Sequence, residues 1–258
     1  MLRQIWLHSV RAYLRLGLFF YFRRIKIYGN KNVPVNEPVL ILCNHQNALL
    51  DALLIAAKLD RFAYFLTRAG VFKKRFVSKL LNSFNMLPVY RIRDGWNNLT
   101  NNNPIFNQCS DLLNENNTVV IFPEGSQSVV RRVRPLSTGF TRIVFDTLEK
   151  YPDMDIKLLP IGLNFVNAMD FVDGTSMYIG KPLSAKAFVT QNRNEDVVKL
   201  KQCIQTELSK LTTNVPAEDY EEVLKKLEAN NVDFLDPEST NKCIETNFEN
   251  CKARPKSI

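Results

Sequence analysis

Short apolar runs alternating with helix-periodic segments constrain this chain more than any other feature. Val39-Leu40-Ile41-Leu42-Cys43 is a continuous apolar run, the pattern of a strand covered on both faces. Asn47 to Lys58 follows with Leu49, Leu50, Leu53, Leu54 and Ala57 at helical spacing, and Asn47 stands at the N-cap. Further strands are predicted at Phe62–Leu66, Met86–Tyr90, Thr118–Phe122, Lys157–Leu163 and Met177–Ile179, with Pro88 marking an edge or an end. Helices are predicted over 70–83, from about Pro104 in the Asn-rich 97–117 stretch, over Gly139–Tyr151, near 193–212 and near 216–230. This alternation means an α/β fold, a largely parallel central sheet flanked by helices. Its chemistry belongs in the loops that leave the strand ends.

Charge is unevenly placed. Residues 1–93 hold 16 Lys and Arg against 3 Asp and Glu, whereas the rest of the chain is net acidic. A basic half of this size points to an anionic partner or a solvated basic face. No nucleic-acid motif is present. The aromatics gather in the N-terminal segment instead of interleaving with a basic sheet face, so nucleic acid is excluded as the partner. In residues 1–24, Trp6, Tyr13, Phe19, Phe20 and Phe22 lie among Arg3, Arg11, Arg15, Arg23 and Arg24. The arginines interrupt any span, and no small-residue cleavage site follows as in a signal peptide. The expectation is an amphipathic helix in a membrane interface, arginines on lipid phosphates; packing on the domain's own core is the alternative. Three regions follow: 1–24 as an interfacial helix, 25–231 as the α/β domain, and 232–258 as a polar tail. The five cysteines form no CxxC pair, so neither a disulfide framework nor a zinc site is indicated, and a reducing compartment is expected.

Two motifs sit at strand ends. Asn44-His45-Gln46-Asn47-Ala48-Leu49-Leu50-Asp51 directly follows the 39–43 strand. His8 lies in the N-terminal helix, so His45 is the sole imidazole in the α/β body. Asp51, about one helical turn beyond the cap, can orient the ring and stabilise its conjugate acid. The residues alone leave two readings: a general base held by a carboxylate, or a hydrogen-bonded turn histidine near a helix-surface charge. No GxSxG elbow or catalytic cysteine context is present, so a base here would activate a hydroxyl of the substrate. The second motif, Phe122-Pro123-Glu124-Gly125-Ser126-Gln127-Ser128, follows the 118–122 strand. Gly125 permits a tight turn with exposed N–H groups, and Arg131-Arg132-Val133-Arg134 adds guanidinium forks suited to phosphate. An ordinary turn followed by a solvated basic loop is the plainer reading.

These two motifs, in this order and at this separation, resemble the NHxxxxD and FPEGxxS blocks of the glycerolipid acyltransferases, the superfamily of glycerol-phosphate and lysophosphatidate acyltransferases. Met86-Leu87-Pro88-Val89-Tyr90-Arg91 and Leu158-Leu159-Pro160-Ile161-Gly162 are similar to two further blocks, and Gly180-Lys181-Pro182-Leu183 to a later turn. The resemblance covers residues 25–185 and implies a membrane-associated O-acyltransferase at a cytoplasmic face. It assigns His45 and Asp51 to catalysis, and Arg91, Glu124, Gly125, Ser126 and, less directly, Arg131 to the acceptor. The donor it implies is acyl-CoA or an acyl carrier protein, with no metal or bound cofactor. The acceptor is glycerol 3-phosphate or a lysophospholipid in phospholipid biosynthesis, a lyso-aminolipid being the alternative. A non-catalytic protein that binds anionic lipid is the rival outside catalysis. Two departures stand out. Five residues separate His45 from Asp51 where four are commonest, as in one branch of glycerol-3-phosphate acyltransferases, and Gln127 replaces a frequent arginine. The basic 70–83 helix suits either a membrane or an acidic acyl carrier.

Overall fold

The computed structural model describes residues 2–91, 100–168, 173–249 and 251–253. Its sheet runs β1 (Arg24–Tyr28), β7 (Gly174–Ile179), β6 (Lys157–Phe165), β2 (Val39–Cys43), β5 (Thr118–Ile121), β3 (Ala63–Arg68), β4 (Met86–Val89), with β8 (Leu183–Ser184) paired to β6. β6, β2, β5, β3 and β4 are mutually parallel; β7 and β8 run antiparallel to β6, and β1 runs parallel to β7. The expected largely parallel α/β sheet is therefore present. β1 has no counterpart in the sequence reading, although Ile25 and Ile27 alternate with Arg24 and Lys26 as an edge strand should.

Strand β2 shows why a continuous apolar run was needed. Leu40 and Leu42 point into a cluster formed with α4 (Asn102–Asn114), α5 (Gly139–Lys150) and α6 (Arg193–Leu211). Val39, Ile41 and Cys43 point into the opposite cluster, with Leu54 and Ile55 of α2 (Ala48–Lys58) and Leu18 of α1 (Leu2–Tyr21). All five strand residues are buried, and each large side chain so placed contributes about 1.5–3 kcal/mol. Helix α3 (Arg75–Ser83) joins β3 to β4, a crossover in the same direction as α2, and so shares the α1–α2 face. Helix α4 starts two residues before Pro104. Gly162 is fixed by close approach: a Cβ there would lie 2.2 Å from the Leu211 carbonyl oxygen at the end of α6.

Two expectations are corrected. First, the α1 arginines do not reach outward as a set. Arg11 is buried and donates to the carbonyls of Ala56 and Arg61, and Arg15 donates to that of Ala57. These carbonyls lie at and just beyond the C-terminal end of α2, where unpaired acceptors and the helix dipole favour cations. Arg11 also lies 3.9 Å over the Phe62 ring, and Arg3 bonds Asn85 and Tyr64. The helix thus packs on its own domain through Leu14, Leu18 and Tyr21. Ile5, Tyr13, Leu16, Phe19 and Phe20 remain exposed. No helix of the described residues is long and apolar enough to cross a membrane.

Second, the segment from 232 is not a polar tail through residue 249. Val232, Phe234 and Leu235 are buried, and α8 (Pro237–Glu245) follows. With α7 (Tyr220–Ala229) this segment builds a small core of its own on the β1–β7 edge. Asp233 faces Arg24 and Lys26, and the Leu235 carbonyl accepts from Ser176 and Tyr178. Cys243 and Cys251 are paired as a disulfide, which the scattered spacing had not indicated. Residues 250 and 254–258 of the expected tail lie outside the described residues.

Candidate active site

The C-terminal ends of β2 and β5 are neighbours in the sheet, and each carries one motif. After Cys43 the chain leaves the ladder, but Asn44 extends it with its side chain. Its amide donates to the Leu163 carbonyl at 2.9 Å and its oxygen accepts the Leu163 N–H at 2.7 Å. That anchor fixes the residue next to it. His45 packs on the Phe122 ring at 4.2 Å between centroids and 20° between planes. Its carbonyl accepts the Ser128 N–H at 2.9 Å, so both motifs share a backbone contact.

His45 Nδ1 lies 2.8 Å from Asp51 Oδ2. The same oxygen accepts the Asn47 N–H at 2.8 Å. Asn47 occupies the N-cap place as expected, but its side chain donates to the Ala168 carbonyl, leaving the cap's N–H to Asp51. The two-residue bend Gln46-Asn47 absorbs the extra residue between His45 and Asp51, and the dyad closes at ordinary hydrogen-bond length. Asp51 is fully buried, and burial raises its pKa above the ordinary carboxylate value; the His45 hydrogen bond and charge and the Asn47 N–H oppose that shift. His45 keeps 10% of its side chain exposed. A ring held at Nδ1 by a carboxylate acceptor carries its proton there, leaving Nε2 as the acceptor. The neighbouring Cys43 thiol is no rival nucleophile: burial, then the charges of Asp51 and Glu124, push its pKa well up.

On the β5 side, Gly125 takes φ +71°, the left-handed region that suits glycine, and its N–H closes the turn on the Phe122 carbonyl at 3.1 Å. Glu124 pairs with Arg134 Nε at 2.7 Å and takes the backbone N–H of His45. Burial raises the Glu124 pKa, opposed first by the Arg134 hydrogen bond and charge. Arg134 also donates to the Ser126 hydroxyl at 3.0 Å and to the Ser126 carbonyl. Glu124, Ser126 and Arg134 therefore form one braced turn next to His45.

Arg131 has a structural occupation. Its guanidinium donates to the carbonyls of Phe165 (2.7 Å) and Val166, and lies 3.9 Å over the Phe234 ring. It ties the loop after β5 to the exit of β6 and to the C-terminal segment. The arginine beside Glu124 is Arg134, which the dense Arg131–Arg134 run did not single out. Arg91 follows β4, three strand positions from β2, about 14 Å along the sheet at the usual strand spacing. Buried Asn102 brackets the residue before it, accepting the Tyr90 N–H and donating to the Tyr90 carbonyl, both at 2.8 Å. Nothing in the Asn-rich run marked this residue, because its role depends on a strand end twelve residues away.

A cleft of about 1140 Å³ opens beside Gln46, between Val130 and Arg131, Val166 to Ala168, and Tyr220, Leu224 and Phe234. A second groove of about 510 Å³, apolar, runs between α1 and α2, lined by Trp6, Tyr13, Leu14, Ala52, Ala56 and Phe65 among others. The geometry at the β2 and β5 ends can take a proton at Nε2 and return it, with the turn braced by a fixed ion pair.

The chain is similar to an uncharacterized acyltransferase of Schizosaccharomyces pombe, 20% identical, over 82% of this chain and 44% of that protein. It is also similar to glycerol-3-phosphate O-acyltransferases 1 and 2 of Saccharomyces cerevisiae, 27% and 32% identical, over 46% and 42% of this chain. The matched region spans only 16% of each yeast enzyme. The crystal structure of the 1-acyl-sn-glycerophosphate acyltransferase PlsC from Thermotoga maritima shares the fold, with TM-score 0.56 and 18% identity over 79% of this chain and 80% of that one. The family model described as Acyltransferase matches residues 24–164, more than half of the chain and the stretch that holds both braced strand ends, and the chain belongs to the acyltransferase family.

Proposed function

We propose that this protein moves a fatty acyl group from a thioester donor, acyl-CoA or an acyl carrier protein, to the hydroxyl of glycerol 3-phosphate or a lysophospholipid. The observation that carries the reading is the 2.8 Å contact between His45 Nδ1 and buried Asp51, next to Gln46 at the edge of the cleft. In this reading Nε2 of His45 removes the acceptor's hydroxyl proton as the oxygen attacks the thioester carbonyl. Asp51 stabilises the imidazolium that forms. The tetrahedral intermediate collapses with cleavage of the C–S bond, and the imidazolium returns its proton to the departing thiolate. The oxyanion of that intermediate is stabilised by backbone N–H donors. Arg91 holds the acceptor phosphate, while Glu124 and Ser126 keep Arg134 and the turn in place. No step needs a metal or a bound cofactor. The exposed apolar side of α1 is the part that meets a membrane surface at its cytoplasmic face.

The test is incubation of purified full-length protein with labelled acyl donor and a panel of glycerol 3-phosphate, lysophosphatidate and a lyso-aminolipid. Acylated product from a phosphorylated acceptor supports the reading. Product from the lyso-aminolipid alone moves the acceptor class, and no product from any acceptor contradicts catalysis.

A further inference from the structure

The two faces of the sheet differ in what they show to solvent. Among the described residues sixteen large apolar side chains are exposed, and eleven of them belong to α1, α2 and the 69–83 segment. The opposite layer, α4 to α6, contributes only Val198. Within the richer face, α3 has no buried residue. Phe76 is 78% exposed, and Leu80, one turn on, shares its stripe. Arg75 and Lys79 form the adjacent stripe, preceded by Lys73 and Lys74 and by exposed Val71. The chain holds no Asp or Glu between Asp60 and Asp94, so these cations have no acidic neighbour in their own segment. The stacking of Trp6 on Phe84 at 5.7 Å joins the end of this segment to the start of α1.

We infer that α3 is the electrostatic half of a bilayer-docking face, laying Phe76 and Leu80 into an anionic leaflet with Lys73, Lys74, Arg75 and Lys79 at the headgroups. Bulky apolar residues flanked by unneutralised cations fit a lipid interface. An acidic carrier would use the cations but leave Phe76 and the adjoining exposed residues of α1 uncovered. The segment starts at the C-terminal end of β3, the same edge of the sheet that carries His45, and ends at β4, whose exit leads to Arg91. A leaflet on this face therefore brings acceptor headgroups to the rim of the site. This orientation rests on the acyl-transfer reading; the docking itself does not.

Vesicles of zwitterionic lipid with and without about a third anionic lipid test it, using the full chain and two variants. One carries Lys73→Gln, Lys74→Gln, Arg75→Gln and Lys79→Gln; the other carries Phe76→Ser and Leu80→Ser. Each cation near an anionic leaflet is worth about fivefold in partitioning, so the first variant should bind anionic vesicles several hundredfold more weakly. The second should bind both vesicle types more weakly, since the exposed apolar residues of α1 remain. Both should acylate a detergent-dispersed acceptor at the wild-type rate, which separates a docking failure from a failure of the catalytic reading. Undiminished vesicle binding by the quadruple variant overturns the inference. So does loss of binding to an acidic acyl carrier protein with vesicle binding intact, which assigns the surface to the carrier.

Discussion

Asp51, in the first turn of α2 after β2, and Glu124, in the turn after β5, both have buried side chains, each with one cationic or potentially cationic partner. They differ in what that partner can do with a proton. Asp51 faces His45, an imidazole, the side chain best suited to take up and pass on a proton. Glu124 faces Arg134, whose charge is permanent. The first pair can move a proton, and the second can only hold shape. Two motifs that each follow one of two adjacent parallel strands thus divide, in the function proposed above, into a chemical pair and a mechanical one.

The largest effect should come from the chemical pair. Asp51→Asn should lower turnover by about 10²–10⁴-fold, the usual contribution of an oriented general base. The fold should gain from the same change. Burial raises the Asp51 pKa, so its ionised form is favoured less in the folded chain than in the unfolded one. That penalty is absent below the ordinary carboxylate pKa and present in full above the raised one. Asp51→Asn should therefore have a higher Tm than wild type at pH 7, with the difference vanishing in acid. A lower Tm at pH 7 would place Asp51 with the mechanical pair. Wild-type activity should also decline on the acid side at a pH above the ordinary carboxylate range, since Asp51 must be ionised to hold the imidazolium.

Arg91→Ala should raise KM for a phosphorylated acceptor by roughly 10- to 150-fold, leaving KM for the acyl donor little changed. A rise in the donor KM instead would put Arg91 on the thioester side. For the mechanical pair, Arg134→Ala should cost about 3 kcal/mol of stability at pH 7, because it leaves Glu124 buried without its cation. Removing Arg134 also removes the largest opposition to the upward shift of Glu124. The loss should shrink as pH falls through that raised pKa, and a pH-independent loss would show that Arg134 acts through packing alone.

What was legible in the sequence follows the range of the interactions involved. The apolar run of β2, the spacing of His45 and Asp51 and the Gly125 turn are local in sequence and legible there. The residues alone leave His45 open between a base and a turn histidine, and most of the helices that cover β2 come from distant segments. Arg131 and Arg134 lie three apart in one basic run. Only the tertiary placement of Phe165, Val166 and Phe234 around one, and of Glu124 beside the other, tells them apart. Composition leaves the arginines of α1 open between lipid phosphates and the domain's own core, because it does not show the end of α2, which supplies their acceptors. Residues 232–249 look polar because their few apolar members, Val232, Phe234, Leu235, Cys243, Ile244 and Phe248, are gathered by contacts with α7, β7 and the loop after β5.

The central claim is that His45 and Asp51 act as one proton-handling unit, and a double-mutant cycle on turnover tests it most directly. His45→Ala, Asp51→Asn and the combined variant are compared with wild type for acylation of the preferred acceptor, with folding checked by circular dichroism. For a single unit the double variant should be no slower than His45→Ala alone, since Asp51 has no base left to orient. Two independent losses that multiply in the double variant, or near wild-type turnover of His45→Ala, would contradict the account.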